Sequence, residues 1–153
     1  MPLTEIESVA ELSRLVGRDV AESDWLEVSQ ERIEQFAEAT GDHQWIHTDA
    51  ERAERESPFG GTVAHGFLTL SLLSELARTA LSAGGVRLAV NYGLNRVRFV
   101  APVMSGSRIR GRFRLAALDE VKGGVQAAWR VTVEREGDER ICCVADWLVR
   151  YYV

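Results

Sequence analysis

The chain has 153 residues, of which 46% are hydrophobic and 27% are charged, and its formal net charge is -5. A domain of this length can bury a sizeable core without a disulfide or a metal, so the composition excludes a disordered chain and a cross-linked miniprotein. The acidic balance argues against general nucleic-acid binding, and no apolar run approaches the roughly 18 residues of a membrane span.

The N-terminal residues and the cysteines indicate the compartment. The first twelve residues are acidic and lack the basic-then-apolar pattern of a signal peptide. The only two cysteines, Cys142 and Cys143, are adjacent, which disfavours a disulfide between them. We therefore expect a cytoplasmic protein whose two thiols pack in the core.

The first part of the chain predicts two helices with a strand between them. Apolar residues recur near a period of 3.6 over 5–16, which predicts a helical extension within residues 1–19. A short strand follows over 24–28. Ser29 is a favourable N-cap residue and Gly41 a favourable stop, so a second helix is expected between them.

An irregular segment separates this helix from the most apolar one in the chain. Residues 41–65 break the pattern, apart from a short helix expected at 49–56. From about Gly66 to Leu81 the apolar residues cover nearly the whole circumference, which is typical of a buried helix.

The remainder predicts an antiparallel sheet. Glycine- and proline-containing turns separate four runs rich in β-branched and aromatic residues, and these turns are too short for helical crossovers, so a meander is expected. Helices first and strands after them indicate a single α+β domain over 1–153, in which one curved sheet wraps the central helix. The four runs are 86–100, 107–118, 125–135 and 140–152.

The irregular segment also carries a candidate catalytic pair. Asp42 and His47 are five residues apart, so a loop can bring the carboxylate and the imidazole to one water molecule and move its proton. The spacing alone is weak evidence, and it is also consistent with Asp42 capping the following turn and His47 being a buried, hydrogen-bonded histidine. From the residues alone, both interpretations stay open.

A zinc site is a weaker hypothesis for the same segment. His43 and His47 have the spacing of a zinc-protease helix, but that motif needs a glutamate after the first histidine, and this chain has Gln44 there. We therefore expect no metal.

The start of the apolar helix is a candidate oxyanion hole. The first N–H groups of a helix have no internal partner and favour developing negative charge. Gly66 would let a ligand carbonyl approach the backbone closely, although a glycine also fits a tight helix entry. Ser74 is a polar residue farther along the same helix.

One predicted strand has a basic face. Arginines alternate with apolar residues over 108–114, and such a face is usually exposed to solvent. The alternative is a basic strip for a phosphorylated ligand such as coenzyme A. We expect the solvent-exposed face.

Two segments carry a family resemblance. Residues 36–49, FAEATGDHQWIHTD, and 59–67, FGGTVAHGF, resemble the MaoC-like (R)-specific enoyl-CoA hydratases, and most closely their nodulation-protein-N-like branch. Residues 91–99 and the turn at 101–103 are also similar to that branch. The resemblance covers roughly 20–150 and implies a hotdog fold, a sheet wrapped around a long central helix, usually paired as a homodimer.

The resemblance also implies roles for individual residues. Asp42 and His47 fall on the family's catalytic positions, Gly66 on the oxyanion-hole glycine and Ser74 on a helix serine that supports the site. Where the common motif has Asn-Pro, this chain has Gln and Trp45. The bulk of Trp45 makes it a candidate lining residue of the substrate tunnel.

The implied reaction is reversible hydration of a trans-2-enoyl thioester to an (R)-3-hydroxyacyl thioester. The substrate would be carried on coenzyme A or on an acyl carrier protein, and no cofactor or metal is needed. Two alternatives remain: a hotdog acyl-CoA thioesterase and a non-catalytic acyl-CoA-binding protein. A thioesterase would need a carboxylate on the central helix, where only Glu75 is available.

Overall fold

The computed structural model describes residues 2–138 and 140–153. The N-terminal part consists of β1 (Thr4–Ile6), α1 (Val9–Leu12), β2 (Asp19–Glu22) and β3 (Leu26–Val28). The predicted helix over 5–16 is therefore wrong in extent. Residues 4–6 pair in parallel with 81–83 instead, so a strand and a four-residue helix together account for the apolar spacing.

The first long helix is where the sequence predicts it. Helix α2 (Gln30–Thr40) begins after Ser29, whose side-chain oxygen accepts a hydrogen bond from the Arg32 N–H at 3.1 Å. It ends at Gly41, which has a φ of 79°, a conformation that favours glycine.

Two short helices occupy the irregular segment. Helix α4 (Ala50–Glu56) confirms the helix expected at 49–56, with Asp49 as its N-cap residue. Helix α3 (Trp45–Thr48) was not predicted, because four residues are too few to show a period.

The central helix consists of two nearly continuous pieces, α5 (Gly66–Ser71) and α6 (Leu73–Ala80). Leu72 keeps helical geometry between them, and the i to i-4 bonding continues through it. The helix is not buried on every side, because the Phe67 side chain is 69% exposed. No helix within the described residues has the length and apolar character needed to cross a membrane.

The remaining strands are β4 (Leu81–Ala83), β5 (Leu88–Phe99), β6 (Ser107–Val121), β7 (Gly124–Arg135) and β8 (Ile141–Tyr152). All strands except β1 and β4 belong to one main sheet. Its members pair in the order β2-β6-β7-β8-β5, and β3 also pairs with β6. Strands β6, β7 and β8 pair in sequence and form the expected meander. Strand β5 pairs with β8 at the far edge instead of with β6, so the predicted four-strand meander is wrong for its first strand.

The core lies between the sheet and the central helix. Strand β6 alternates as predicted, with its apolar residues buried and its arginines on the opposite face. Trp129 is buried and donates its Nε1–H to the Tyr151 hydroxyl at 3.0 Å. A sheet therefore wraps the helix, with the largest buried side chains from both layers at its centre: Leu73, Leu76, Ile109, Phe113, Leu115, Trp129, Val131 and Val133.

Candidate active site

His47 is buried and its ring is held in one tautomer. It belongs to α3, is 7% exposed, and its Nδ1 lies 2.7 Å from the Val63 carbonyl oxygen. A carbonyl oxygen only accepts, so Nδ1 carries the proton and Nε2 of the neutral ring keeps a free lone pair.

The surroundings of His47 favour this neutral form. Burial lowers the pKa of His47 below its ordinary value of 6.5. The hydrogen bond to Val63 acts in the opposite direction, the neighbouring His65 adds to the lowering, and the Asp42 carboxylate raises the pKa. The balance keeps a proton acceptor available at neutral pH.

Asp42 lies just after the end of α2, close to the His47 ring. It follows the C-cap Gly41, its side chain is exposed, and its Oδ1 accepts a weak 3.4 Å hydrogen bond from the Gln44 N–H. Asp42 thus caps the turn as one interpretation expected. Its carboxylate is also within 4.8 Å of a His47 ring nitrogen, so the structure brings the predicted pair together.

Two residues that the sequence analysis did not single out hold this segment in place. The Gln30 side-chain amide donates to the His47 carbonyl oxygen at 2.8 Å and accepts from the Thr62 hydroxyl at 2.8 Å. Gln30 is the first residue of α2, and nothing in its local pattern distinguishes it from a solvent-exposed glutamine.

Gly66 begins α5 and lies in the same cavity as His47. A Cβ at this position would come within 2.9 Å of the Phe99 ring, so the close approach of that ring requires glycine. The cavity has a volume of about 310 Å³ and is mostly apolar. Besides His47 and Gly66 it is lined by Ile46, Phe59, Val63, Ala64, Thr69, Phe99, Val100, Ala101, Pro102, Val103 and Cys142.

Binding a metal ion is the alternative function to consider for these groups, since Asp42, His47 and His65 place one donor atom each within 4.8 Å of one another. The two imidazole rings, however, are stacked with centroids 3.8 Å apart and planes 23° apart. Metal-binding lone pairs lie in the ring plane, and two such planes cannot meet at one ion about 2.0–2.1 Å from both nitrogens. The arrangement of the rings therefore does not fit a metal ion.

The structure does not bring Ser74 or Trp45 to this cavity. Ser74 lies on the exposed face of α6 and lines two other cavities, of about 440 Å³ and about 150 Å³. Trp45 packs instead under the Arg52 guanidinium, 4.2 Å from the ring centroid. The expected tunnel-lining role of Trp45 therefore has no support in the geometry.

Three other candidates have surroundings that do not favour a catalytic role. His43 is exposed and 3.6 Å from Glu38. Glu75, which a thioesterase would need, forms an ion pair with Arg78 at 2.7 Å and does not line the cavity. Cys142 does line it, but burial raises the pKa of its thiol, which makes the thiol a poor nucleophile.

The arginine face of β6 is paired with acids. Arg112 lies 3.0 Å from Glu22, and Arg110 lies 3.1 Å from the same carboxylate and also pairs with Glu134. Arg110 stacks over Trp25 as well, 4.2 Å from its ring centroid. Guanidinium groups so engaged favour the expected solvent-exposed face over a phosphate-binding strip.

Comparison with known proteins identifies relatives along almost the whole chain. It is 51% identical over 146 residues to 3-hydroxyacyl-thioester dehydratase Z of Mycobacterium tuberculosis, covering 95% of this chain and 96% of that protein. It is 45% identical over 144 residues to nodulation protein N of Rhizobium leguminosarum bv. viciae, covering 92% and 89%.

The fold is shared with solved structures. The unliganded R-hydratase PhaJ1 of Pseudomonas aeruginosa superposes with a TM-score of 0.74 at 24% identity, over 95% of this chain and 85% of that one. The predicted hotdog fold is thus confirmed. Residues 11–136 match the family described as MaoC like domain. The chain belongs to the MaoC-like family.

Proposed function

We propose that this protein catalyses the reversible hydration of trans-2-enoyl thioesters to (R)-3-hydroxyacyl thioesters. The observation that carries the proposal is the meeting of the Asp42 carboxylate and the neutral His47 ring beside the Gly66 end of the central helix. The 51% identity to a protein named as a 3-hydroxyacyl-thioester dehydratase supports the same chemistry.

In this proposal the backbone N–H of Gly66 donates a hydrogen bond to the thioester carbonyl oxygen. This polarises the enoyl group and stabilises the negative charge that develops on that oxygen. Asp42 and His47 hold the water. Its oxygen bonds to C3, one of its protons passes to the pair, and the pair returns a proton to C2 on the same face.

The proposed reaction needs no cofactor, so exhaustive dialysis against a chelator should leave turnover unchanged.

We propose that the acyl chain lies along the central helix, with Ser74 among its contacts. Ser74 lines both the cavity of about 150 Å³ and the one of about 440 Å³, so these two cavities adjoin each other along α6. The larger cavity is bordered by Ala77, Phe113, Trp129 and Trp147, an apolar lining suited to a hydrocarbon chain.

We also propose a homodimer in the cytoplasm. Strand β5 pairs with β8 on one side only, among the described residues, and carries exposed apolar side chains such as Tyr92 and Leu94. A second copy pairing with this edge would cover them.

The proposed location in the cytoplasm is supported by the cysteines. Both are free and buried, which suits a reducing compartment. Cell fractionation tests the location.

The decisive experiment follows the enoyl-thioester absorbance of crotonyl-CoA with the purified protein. We expect loss of absorbance without release of free thiol, and a product of (R) configuration by chiral chromatography. Release of coenzyme A would instead indicate the thioesterase. Binding of crotonyl-CoA without turnover would indicate the non-catalytic acyl-CoA-binding protein.

A further inference from the structure

His65 is a buried titratable group that the proposed reaction does not use. It is only 3% exposed, stands immediately before α5, and does not line the cavity that contains His47 and Gly66. Burying a polar ring is costly unless its nitrogens are engaged, so its contacts indicate what it does.

One ring nitrogen of His65 holds the backbone of the catalytic loop. Nε2 lies 3.0 Å from the Asp42 carbonyl oxygen, so Nε2 carries the proton and donates it. Nδ1 is fully buried and has no hydrogen-bond partner among the described residues. Among these residues, only one of the two ring nitrogens therefore makes a hydrogen bond, and its partner is the backbone of Asp42, the residue with the candidate catalytic carboxylate.

The flat face of His65 holds the other member of the pair. Its ring stacks on His47 with centroids 3.8 Å apart, while Phe36 packs on it at 4.9 Å. Stacked rings cannot pass a proton directly, because a hydrogen bond to an imidazole nitrogen lies near the ring plane. The contact therefore restrains the His47 ring and leaves its Nε2 free.

We propose that His65 is a positioning residue that joins the reacting groups into one rigid unit: it fixes Asp42 through the backbone and His47 through stacking, and is covalently joined to Gly66. The proposal rests on the proposed function, because the positioned groups are those of the hydration reaction. A displacement of about 1 Å in such groups can cost about 10²-fold in rate.

The same contact has an electrostatic consequence. The two titratable groups that act on His47 are His65, which lowers its pKa, and Asp42, which raises it. Replacing His65 by a residue without a titratable ring removes this lowering contribution. If the loop also loosens, water reaches His47 and the effect of burial shrinks, so both changes raise the pKa of His47.

Two variants separate the two contacts of His65. His65→Phe keeps a stacked aromatic ring but removes the donor to Asp42. His65→Gln places an amide donor near the position of Nε2 but removes the ring. Hydration of crotonyl-CoA gives kcat and KM, and an NMR titration of the His47 ring signals gives its pKa without any substrate.

We expect kcat of His65→Phe to fall about 10–100-fold, with KM changed by less than about threefold because His65 does not line the cavity. His65→Gln should retain more turnover than His65→Phe, since it can restore the hydrogen bond. In both variants the pKa of His47 should rise above its wild-type value. His43→Gln is the matched control, an exposed histidine of the same loop, and should change none of these quantities.

Unchanged kcat together with an unshifted His47 titration in His65→Phe would overturn the proposal. So would a His65→Gln variant less active than His65→Phe, or the failure of both variants to fold, since the residue would then be purely structural. If the wild-type protein does not hydrate crotonyl-CoA, the proposed function fails, while the His47 titration still decides whether His65 restrains that ring.

Discussion

Val63 determines which nitrogen of His47 is free, and it does so from 16 residues away in the chain. The carbonyl oxygen accepts a hydrogen bond from Nδ1–H, so only Nε2 can act as a base toward a water near Asp42. Helix α3 and the bonds of Gln30 keep the backbone of His47 in place. The chemistry of the pair therefore depends on groups outside the motif.

Removing either member of the pair should abolish most of the turnover. Asp42→Asn keeps the hydrogen-bonding shape and removes the basic carboxylate, and His47→Gln removes the titratable ring. Each should lower kcat by about 10²–10⁴. The double variant should be scarcely worse than the worse single one, because groups that act as a unit are strongly non-additive. Steady-state hydration of crotonyl-CoA measures all three.

Folding must be checked beside that measurement. Asp42 is exposed, so Asp42→Asn should keep its unfolding free energy, whereas His47→Gln loses a buried hydrogen bond to Val63 and should lose about 1–3 kcal/mol in a urea titration. His43→Gln serves as the unperturbed histidine. A folded Asp42→Asn protein with near-normal hydration would show that this loop is not the active site.

The dependence of kcat on pH should reflect the buried state of His47. A base works only when deprotonated, and burial lowers the pKa of His47 below 6.5. As the pH falls, the acid limb of kcat should therefore have its midpoint below pH 6.5, at the lowered pKa of His47. The measurement is kcat from pH 4 to 9 in a buffer of constant ionic strength. A midpoint above pH 6.5 would contradict the assignment of His47 as the base.

How much of the site the sequence predicts depends on whether the determining contacts are local. Asp42, His47 and Gly66 stand in two short motif segments; the structure places His47 and Gly66 in one cavity, and the Asp42 carboxylate within 4.8 Å of a His47 ring nitrogen. Trp45 packs against Arg52 of the next helix instead of lining this cavity, and no periodicity predicts which side of a short helix meets its neighbour.

At the scale of elements, the helices with clear end signals were predicted well. Helix α2 has both its signals, Ser29 and Gly41, and begins and ends where they indicate. The N-terminal helix has no comparable start, because the Ser8 side chain makes no capping hydrogen bond, and residues 4–6 join a strand instead. Tertiary pairing thus overrode a weak local preference.

The start of the central helix provides an element-scale prediction. Gly66→Ala would place a methyl group 2.9 Å from two Phe99 ring carbons, so that ring must move and the cavity must change shape. We expect a loss of about 1–3 kcal/mol in unfolding free energy and a clear rise in KM. Chemical denaturation and steady-state kinetics measure the two effects.

A second substitution distinguishes the side chain from the backbone. Alanine keeps the N–H of residue 66, so combining Gly66→Ala with Phe99→Ala removes the clash without removing the proposed oxyanion donor. Activity of the double variant should exceed that of Gly66→Ala alone. If it does not, the glycine is needed for more than its close approach to Phe99.

At the scale of the whole molecule, the layers were predictable and the order of the strands was not. Alternation along β6 shows which face is buried, but it carries no information about which strand lies beside which. The antiparallel pairing of β5 with β8 places β5 at a sheet edge. That position follows from the long-range pairing, which no local pattern encodes.

The edge position of β5 leads to the prediction about assembly. Within residues 2–138 and 140–153, the 12-residue strand β5 pairs on one side only and carries exposed Tyr92 and Leu94. The ring of its Phe99 lies 6.3 Å from that of the exposed Phe67 of α5. Such a strand is unfavourable for an isolated molecule. We expect light scattering coupled to gel filtration to give twice the chain mass at micromolar concentration. Leu94→Lys should place charges in the joint between the copies and shift the mass toward one chain, whereas Val16→Lys, at an exposed apolar residue of the N-terminal turn, should not. A wild-type mass of one chain, or equal masses for the two lysine variants, would show that a second copy does not cover this edge.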